Sequence, residues 1–343
     1  MDHVNDSLHR LEGQRLVVTG AAGFIGGALL RRLHAAGLDV LGTALRDEEV
    51  AALREAGFTS MRLDLADATT FADALAGADV VFNVAAMFQE YAAGEAEYRK
   101  VNCDGAVALC RAAAAAGVRR FVHVSTVGVH GAVKQIPCTE QTPLNPMDAY
   151  HRTKLAGEQA ITEFARTLPP GDMVVTHNRP SMVYGPGDWR MSYRLCDLLC
   201  RGKFIMVGDG QTLAHLGHID DQVDSLLLSA TAPREAVHGE AFNIASDRPC
   251  SLNELTTMLA EALAVSPPTR RVPVTPVWLA SLLCEMVCLP LGVSPPLFRR
   301  RVGFFTHNRA FDCSKAKARL GYTSRRTLAQ GLTDTAAWYR QAA

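Results

Sequence analysis

Short apolar runs recur through the first half of the chain, each followed by a stretch with helical spacing. Leu16-Val17-Val18 is the first run, and its apolar, partly β-branched make-up reads as a buried strand. Asp39–Ala44 (DVLGTA), the segment into Met61–Leu65, Asp79–Val84 (DVVFNV) and Arg119–Ser125 (RRFVHVS) repeat the pattern. Between them, the segment from Phe24 through Leu33, then Glu48–Ala56, Thr70–Ala76 and Glu95–Ala116 place apolar residues on one helical face, the last stopping at Gly117. A further helix opens at Tyr150 and runs to about Arg166. Strands alternating with helices predict an α/β fold with a doubly wound parallel sheet. The second half is richer in loops and proline, which predicts a smaller C-terminal domain covering a cleft.

One later stretch breaks the pattern. Val277–Gly292 (VWLASLLCEMVCLPLG) is apolar almost throughout, with Ser281 and Glu285 the polar exceptions. It is too short to span a bilayer comfortably. Two readings stay open: a core or lid helix, or a surface helix that touches a membrane or an apolar substrate.

With 343 residues the chain can hold one large α/β domain or two smaller ones. Lys and Arg number 35 against 35 Asp and Glu, so no electrostatic footprint for nucleic acid exists. The first fourteen residues are polar and mixed in charge, without the apolar centre of a signal peptide. Nine cysteines are scattered without a CxxC pair. Cys196/Cys200 and Cys284/Cys288 sit four apart, yet further ligands are missing, so buried free thiols are expected and no metal site. An odd cysteine count without a signal points to a reducing cytoplasm.

The chemistry begins where the first strand ends. Gly20, Gly23 and Gly26 follow at three-residue spacing and lead into the helix from Phe24. Strand, glycine turn and helix together form the context of a dinucleotide site. The turn needs an unusual φ, the backbone must approach a pyrophosphate closely, and the helix N-terminus offers its amides to the phosphates. At the tip of the second strand, an acidic residue favours NAD and a basic one suits the 2′-phosphate of NADP. Ala44 stands at the acidic position and Arg46 follows, with Asp47 beside it, which leans toward NADP without settling the choice.

Tyr150 and Lys154 open the later helix at i and i+4 and project from one face. A free phenol has a pKa near ~10, and a neighbouring ammonium together with an oxidised nicotinamide lowers it. Such a phenol can take a hydroxyl proton while hydride departs, or do the reverse. Ser125 and Thr126, at a strand end, offer a hydroxyl for the substrate oxygen.

These features together resemble an extended short-chain dehydrogenase/reductase of the NAD-dependent epimerase/dehydratase family, over nearly the full length. TGAAGFIG (Thr19–Gly26) resembles the family's cofactor turn, so Gly20, Gly23, Phe24, Ile25 and Gly26 are implied to hold NAD(P) together with Arg46. Asp64-Leu65 matches the adenine-contacting pair, and NVAA (Asn83–Ala86) the strand end that places Ala85 and Ala86 along the cofactor. Asn102, in VNCDG, falls at the asparagine kept near the nicotinamide and proton relay. Tyr150 and Lys154 carry the YxxxK motif, and RPSMVYGPGD (Arg179–Asp188), HIDD (His218–Asp221), FNIAS (Phe242–Ser246) and LGY (Leu320–Tyr322) recur in order. Pro180 in that series is implied in cofactor binding. The hydroxyl five residues before Gly131 of VHG is Thr126, whereas spacing from Tyr150 allows Ser125. The resemblance implies a Rossmann-type domain over 14–180 rejoined by about 213–246, and a substrate domain from 181–212 and 247–335. It also implies a homodimer built on Glu95–Ala116 and Tyr150–Arg166.

Substrate class is less specific. Sugar-nucleotide enzymes of the family place an asparagine where this chain has Met182, which suits an apolar ligand. The block from Pro276 to Asp312 resembles the 3β-hydroxysteroid and sterol dehydrogenase branch, with dihydroflavonol reductases as close relatives. The expected reaction is hydride transfer between NAD(P) and a bulky, apolar secondary alcohol or ketone, with Met87, Met182 and Tyr184 against the substrate. A nucleotide-sugar epimerase or dehydratase, and a non-catalytic NAD(P)-binding sensor, are the alternatives.

Overall fold

A computed structural model describes residues 3–88, 93–133, 135–288, 291, 293, 295–297 and 299–343. Seven strands form one sheet: β1 (Leu16–Thr19), β2 (Val40–Ala44), β3 (Ser60–Arg62), β4 (Val80–Asn83), β5 (Arg120–Val124), β6 (Val174–Pro180) and β7 (Glu240–Ile244). Their order is β7-β6-β5-β4-β1-β2-β3, with every neighbouring pair parallel. The order reverses between β1 and β4, the place where open α/β sheets bind ligands beyond the carboxyl ends of their strands.

Strand side chains alternate between the two faces. Leu16, Val18, Phe82 and Val122 meet Leu29, Leu30 and Leu33 of the Phe24–Ala35 helix and Leu226 and Leu227 of the Ile219–Thr231 helix. Val17, Val81, Phe121 and Val175 meet Leu109 and Ala113 on one helix and Ile161 and Ala165 on another. The polar opening segment does more than its composition suggests: His3–Arg10 is a helix, and Val4 and Leu11 are buried in the first of these cores. The pattern over Glu95–Ala116 is realised as two α-helical pieces joined by a π-helical turn, Lys100–Gly105.

A second core lies toward the C-terminus. The Ser192–Cys200, Leu252–Ala262 and Leu328–Ala342 helices pack Leu199, Leu255, Leu259 and Leu332 around Tyr184. Before its last helix the chain touches the first core again, with Cys313, Ala316, Leu320 and Tyr322.

The apolar stretch is a helix from Val274 to Cys288, and its polarity is reversed. Ser281 and Glu285 are the buried positions, whereas Leu283 and Val287 are 59% and 63% exposed and Trp278, Leu279 and Met286 are also exposed. The core-helix expectation is therefore corrected. The cause is local: Glu285 takes the Arg299 backbone N–H and Nε, each at 2.7 Å, which turns the acidic side inward and the apolar side to solvent. Pro290 and Gly292, in the same stretch, lie outside the described residues. Among the described residues no helix is long and apolar enough to cross a membrane.

Candidate active site

Backbone proximity shapes the cofactor turn. Gly20 has φ +66°, and a Cβ there would meet the Ala85 Cα at 2.8 Å. A Cβ on Gly26 would strike the Gly20 carbonyl, and one on Gly23 would stand 3.1 Å from the same oxygen. Gly23 caps the Phe24–Ala35 helix with no side-chain hydrogen bond, so the positive end of that helix opens onto the turn. Phe24 and Ile25, half-buried, form its first turn. This cradle fits the pyrophosphate of a dinucleotide, with Gly20, Gly23 and Gly26 leaving the room.

The remaining positions expected to hold cofactor follow the carboxyl ends of the strands. Ala44 ends β2, and Arg46 beyond it is exposed and holds Glu49 at 2.6 Å. After β3, Asp64 accepts the Ala66 N–H at 2.8 Å, while buried Leu65 lays its carbonyl against Gly105. Ala85 and Ala86 follow β4, and Pro180 ends β6.

Asn102 sits in the π-helical turn, a feature common at functional sites. Its Oδ1 accepts the Met87 N–H at 2.8 Å, and its Nδ2 donates to the Met87 carbonyl at 3.0 Å and to Thr153 Oγ1 at 3.4 Å. The side chain is thus a clamp joining the loop after β4 to the Ala149–Thr167 helix. Both amide hydrogens are engaged, and the Asn102 backbone carbonyl lies against Gly157.

Asp148 caps that helix by accepting the His151 N–H at 2.9 Å, which fixes Tyr150 in its first turn. The half-buried Tyr150 ring meets Phe88 edge-on at 4.9 Å, and Arg190 from the C-terminal lobe lies 5.9 Å over that Phe88. Lys154, one turn on, is buried to 1% with Nζ 3.5 Å from His123 Nε2. Burial pulls its pKa down to about 8, against the opposing charge of Glu158. At neutral pH most of the ammonium therefore survives to favour a phenolate on the same helix face.

The two hydroxyl candidates separate. Thr126 is half-buried and accepts the Gly128 N–H at 3.1 Å, on a turn packed so tightly against His151 that Gly128 has no room for a Cβ. Ser125 is enclosed and helps keep the Glu158 carboxylate ionised. Of the two, Thr126 is the more exposed. Met87 lies in the clamped loop. Met182 and Tyr184 line an apolar cavity of about 110 Å³ with Leu255, Phe304 and Leu332, and the Tyr184 hydroxyl is sunk against Gly331.

A model of the NAD dependent epimerase/dehydratase family matches residues 16–245. The chain belongs to this family. It is accordingly an enzyme of the extended short-chain dehydrogenase/reductase type, in an NAD-binding family. It is similar to the 2-alkyl-3-oxoalkanoate reductase of Stenotrophomonas maltophilia, 28% identical over 327 residues covering 93% of this chain and 97% of the relative. The 3beta-hydroxysteroid-dehydrogenase/decarboxylase isoform 1 of Arabidopsis thaliana is 28% identical over 302 residues, covering 83% of this chain and 67% of that one. Among solved structures, MoeE5 in complex with UDP-glucose and NAD superposes with a TM-score of 0.75 at 27% identity, covering 96% and 99% of the two chains.

NAD(P), when bound in this family, supplies the acceptor or donor of hydride. The sequence expectation gives Tyr150 the proton of the reacting oxygen, Lys154 the charge beside it and Thr126 the orientation of that oxygen; the structure sets Tyr150 and Lys154 one turn apart on one helix and Thr126 at the end of β5. Sequence reasoning missed Phe88, His123 and Glu158. Glu158 lies one turn beyond Lys154, a spacing that marks it as sharing the inward face.

Glu158 and Arg179 form a buried pair, with Arg179 Nε to Oε2 at 3.0 Å and Nη2 to Oε1 at 2.5 Å. Burial alone would raise the carboxyl's pKa, but the Arg179 hydrogen bonds and charge hold it down to about 2. The pair's stabilisation is complete above pH 4.5 and is lost as pH falls toward 2. Glu158→Gln, which strands the guanidinium, is expected to cost about 3–5 kcal/mol in denaturant unfolding at pH 7. Adding Arg179→Met should recover most of that loss; an additive second loss would show that the pair is not a coupled unit.

Proposed function

We propose that the protein transfers hydride between NADP and a bulky, apolar secondary alcohol or ketone. The observation that carries this reading is the apolar character of the residues expected to meet substrate. Phe88 meets Tyr150 edge-on, and Met182 lines a cavity with Tyr184, Leu255, Phe304 and Leu332. Ser192 and Thr335 are the polar members of that lining, with no charged side chain among them. At about 110 Å³ the cavity is smaller than the several hundred Å³ typical of ligand sites. A bulky substrate needs more room than this cavity offers. The reductase and steroid dehydrogenase relatives support the same substrate chemistry.

Arg46 supports NADP. Its partner Glu49 is an exposed ion pair, a class worth about 0–1 kcal/mol, so a doubly charged 2′-phosphate would displace it readily.

The sugar-nucleotide reading draws support from the solved relative with UDP-glucose and NAD and from UDP-glucose 4-epimerases among the relatives. Against it stands Met182, which cannot donate to a diphosphate.

The deciding experiment follows absorbance at 340 nm with NAD or NADP and a panel of hydroxysteroids, flavonoid-like alcohols and branched 3-oxo acids. UDP-glucose and UDP-galactose are run alongside, with the sugars read by NMR. Net change at 340 nm with an apolar substrate, faster with NADP, is the expected result. A converted sugar without net change in cofactor would overturn it.

The Val274–Cys288 helix completes this reading as a docking face for an anionic bilayer, where an apolar substrate would partition. From Arg270 to Arg309 the chain carries six arginines against one acidic residue, Glu285, although the whole chain is neutral. Outward Trp278 and Leu283 next to such a basic segment suit a lipid headgroup region. Co-sedimentation with phosphatidylserine-containing vesicles is expected, weakened by salt and by Leu283→Glu. Indifference to vesicles, or a dimer that Leu283→Glu dissociates, would refute the membrane assignment.

A further inference from the structure

Behind Lys154 runs a buried chain of three side chains from three adjacent strands. His123 on β5 meets Lys154 Nζ through Nε2 at 3.5 Å and Asn83 Nδ2 through Nδ1 at 3.1 Å. Asn83, on β4, accepts at Oδ1 from Thr19 Oγ1 on β1 at 3.0 Å. Thr19 Oγ1 in turn accepts the backbone N–H groups of Val84 and Ala85, both at 3.0 Å. Thr19, Asn83, His123 and Lys154 are all 0–1% exposed, so bulk water does not arbitrate among them.

The donors and acceptors in this chain admit one consistent arrangement. With its oxygen occupied by two backbone donors, Thr19 has a single proton to give, and the nearest acceptor is Asn83 Oδ1. Asn83 must then turn its NH₂ toward His123. An amide NH₂ cannot accept, so Nδ1 of the neutral imidazole is the acceptor and the ring proton resides on Nε2. That N–H points at Lys154.

We propose that Thr19 and Asn83 lock His123 in the Nε2–H tautomer, and that this N–H dipole, aimed at Lys154, disfavours its ammonium and sets the alkaline edge of activity. His123 is thus a positioning residue that acts through Lys154. An ammonium has no lone pair to receive an N–H, whereas a neutral amine does. The other ionisable groups near the lysine lie on β6 and on its own helix. His177 on β6 lies 5.6 Å ring to ring from His123, Tyr150 and Glu158 share its helix, and Arg179 on β6 already neutralises Glu158. Burial keeps His123 well below its ordinary value and His177 at about 4, so neither carries charge at neutral pH.

The test is made on the cofactor-free protein labelled with ¹⁵N-histidine. Long-range proton–nitrogen correlation spectra distinguish a protonated from a bare ring nitrogen, with His123 assigned by the signals lost in His123→Gln. The expected wild-type spectrum has Nε2 protonated and Nδ1 bare; the reverse would overturn the lock. Following the His123 signals through alkaline pH records the titration of Lys154, expected near 8. In Asn83→Asp the carboxylate only accepts, Nδ1 takes the proton, and Nε2 becomes an acceptor for the ammonium. The titration should then rise by about one pH unit, a tenfold change in proton affinity. Thr19→Ala, which frees Asn83 to flip, should move it the same way by less, and serves if Asn83→Asp fails to fold. A titration unmoved in a folded variant would overturn control of Lys154. The consequence for activity, an alkaline limb of kcat/KM moving with the titration, rests on the hydride-transfer reading. If no turnover is found, the tautomer and titration are still read from the spectra.

Discussion

A lysine side chain buried almost completely, at the carboxyl edge of a parallel sheet, is the constraint around which this site is built. Taking an ammonium out of water costs several kcal/mol unless opposite charge meets it. Glu158, the acidic group that acts on Lys154, is engaged by Arg179 through two hydrogen bonds. The lysine charge is therefore not quenched in a tight ion pair, and it stays available to the phenol one turn earlier. Its proton is held loosely for the same reason, which makes the site sensitive to every dipole around it.

Several features make sense only in relation to that placement. The π-helical turn brings Asn102 far enough round to clamp Met87 and reach Thr153, so the loop after β4 is tied to the helix bearing Tyr150 and Lys154. Gly157 lets the Asn102 backbone approach that helix, as Gly128 does for His151. In the glycine turn, Gly20 lets the backbone approach Ala85 after β4, and Gly26 lets the helix approach the Gly20 carbonyl. Thr19 serves both halves: it ends β1 at the glycine turn and starts the polar chain that reaches Lys154.

Much of this was legible in the sequence because its signals are local. Buried parallel strands announce themselves as short apolar runs, the glycine turn has fixed spacing, and Tyr150 and Lys154 are four residues apart. What stayed hidden depends on pairing across long separations. His123, Asn83 and Thr19 each look like an interior strand position, and only the strand order β1, β4, β5 makes them neighbours. The His3–Arg10 helix was hidden because its mixed charge conceals Val4, which finds its partners in the Ile219–Thr231 helix. The composition of the Val274–Cys288 helix left a core and a surface reading open, and the bonds from Arg299 to the inward Glu285 leave its apolar side outside.

Single-turnover hydride transfer in Tyr150→Phe, followed at 340 nm with cofactor and an accepted substrate, tests the central claim most directly. Removing one hydroxyl leaves the ring packing on Phe88 and the glycine cradle in place, so cofactor affinity should stay within a few-fold. Loss of the proton-transferring group should slow the transfer by about 10²- to 10⁴-fold. A transfer rate close to wild type would contradict the account, because proton transfer would then have to proceed through a group other than the phenol beside Lys154.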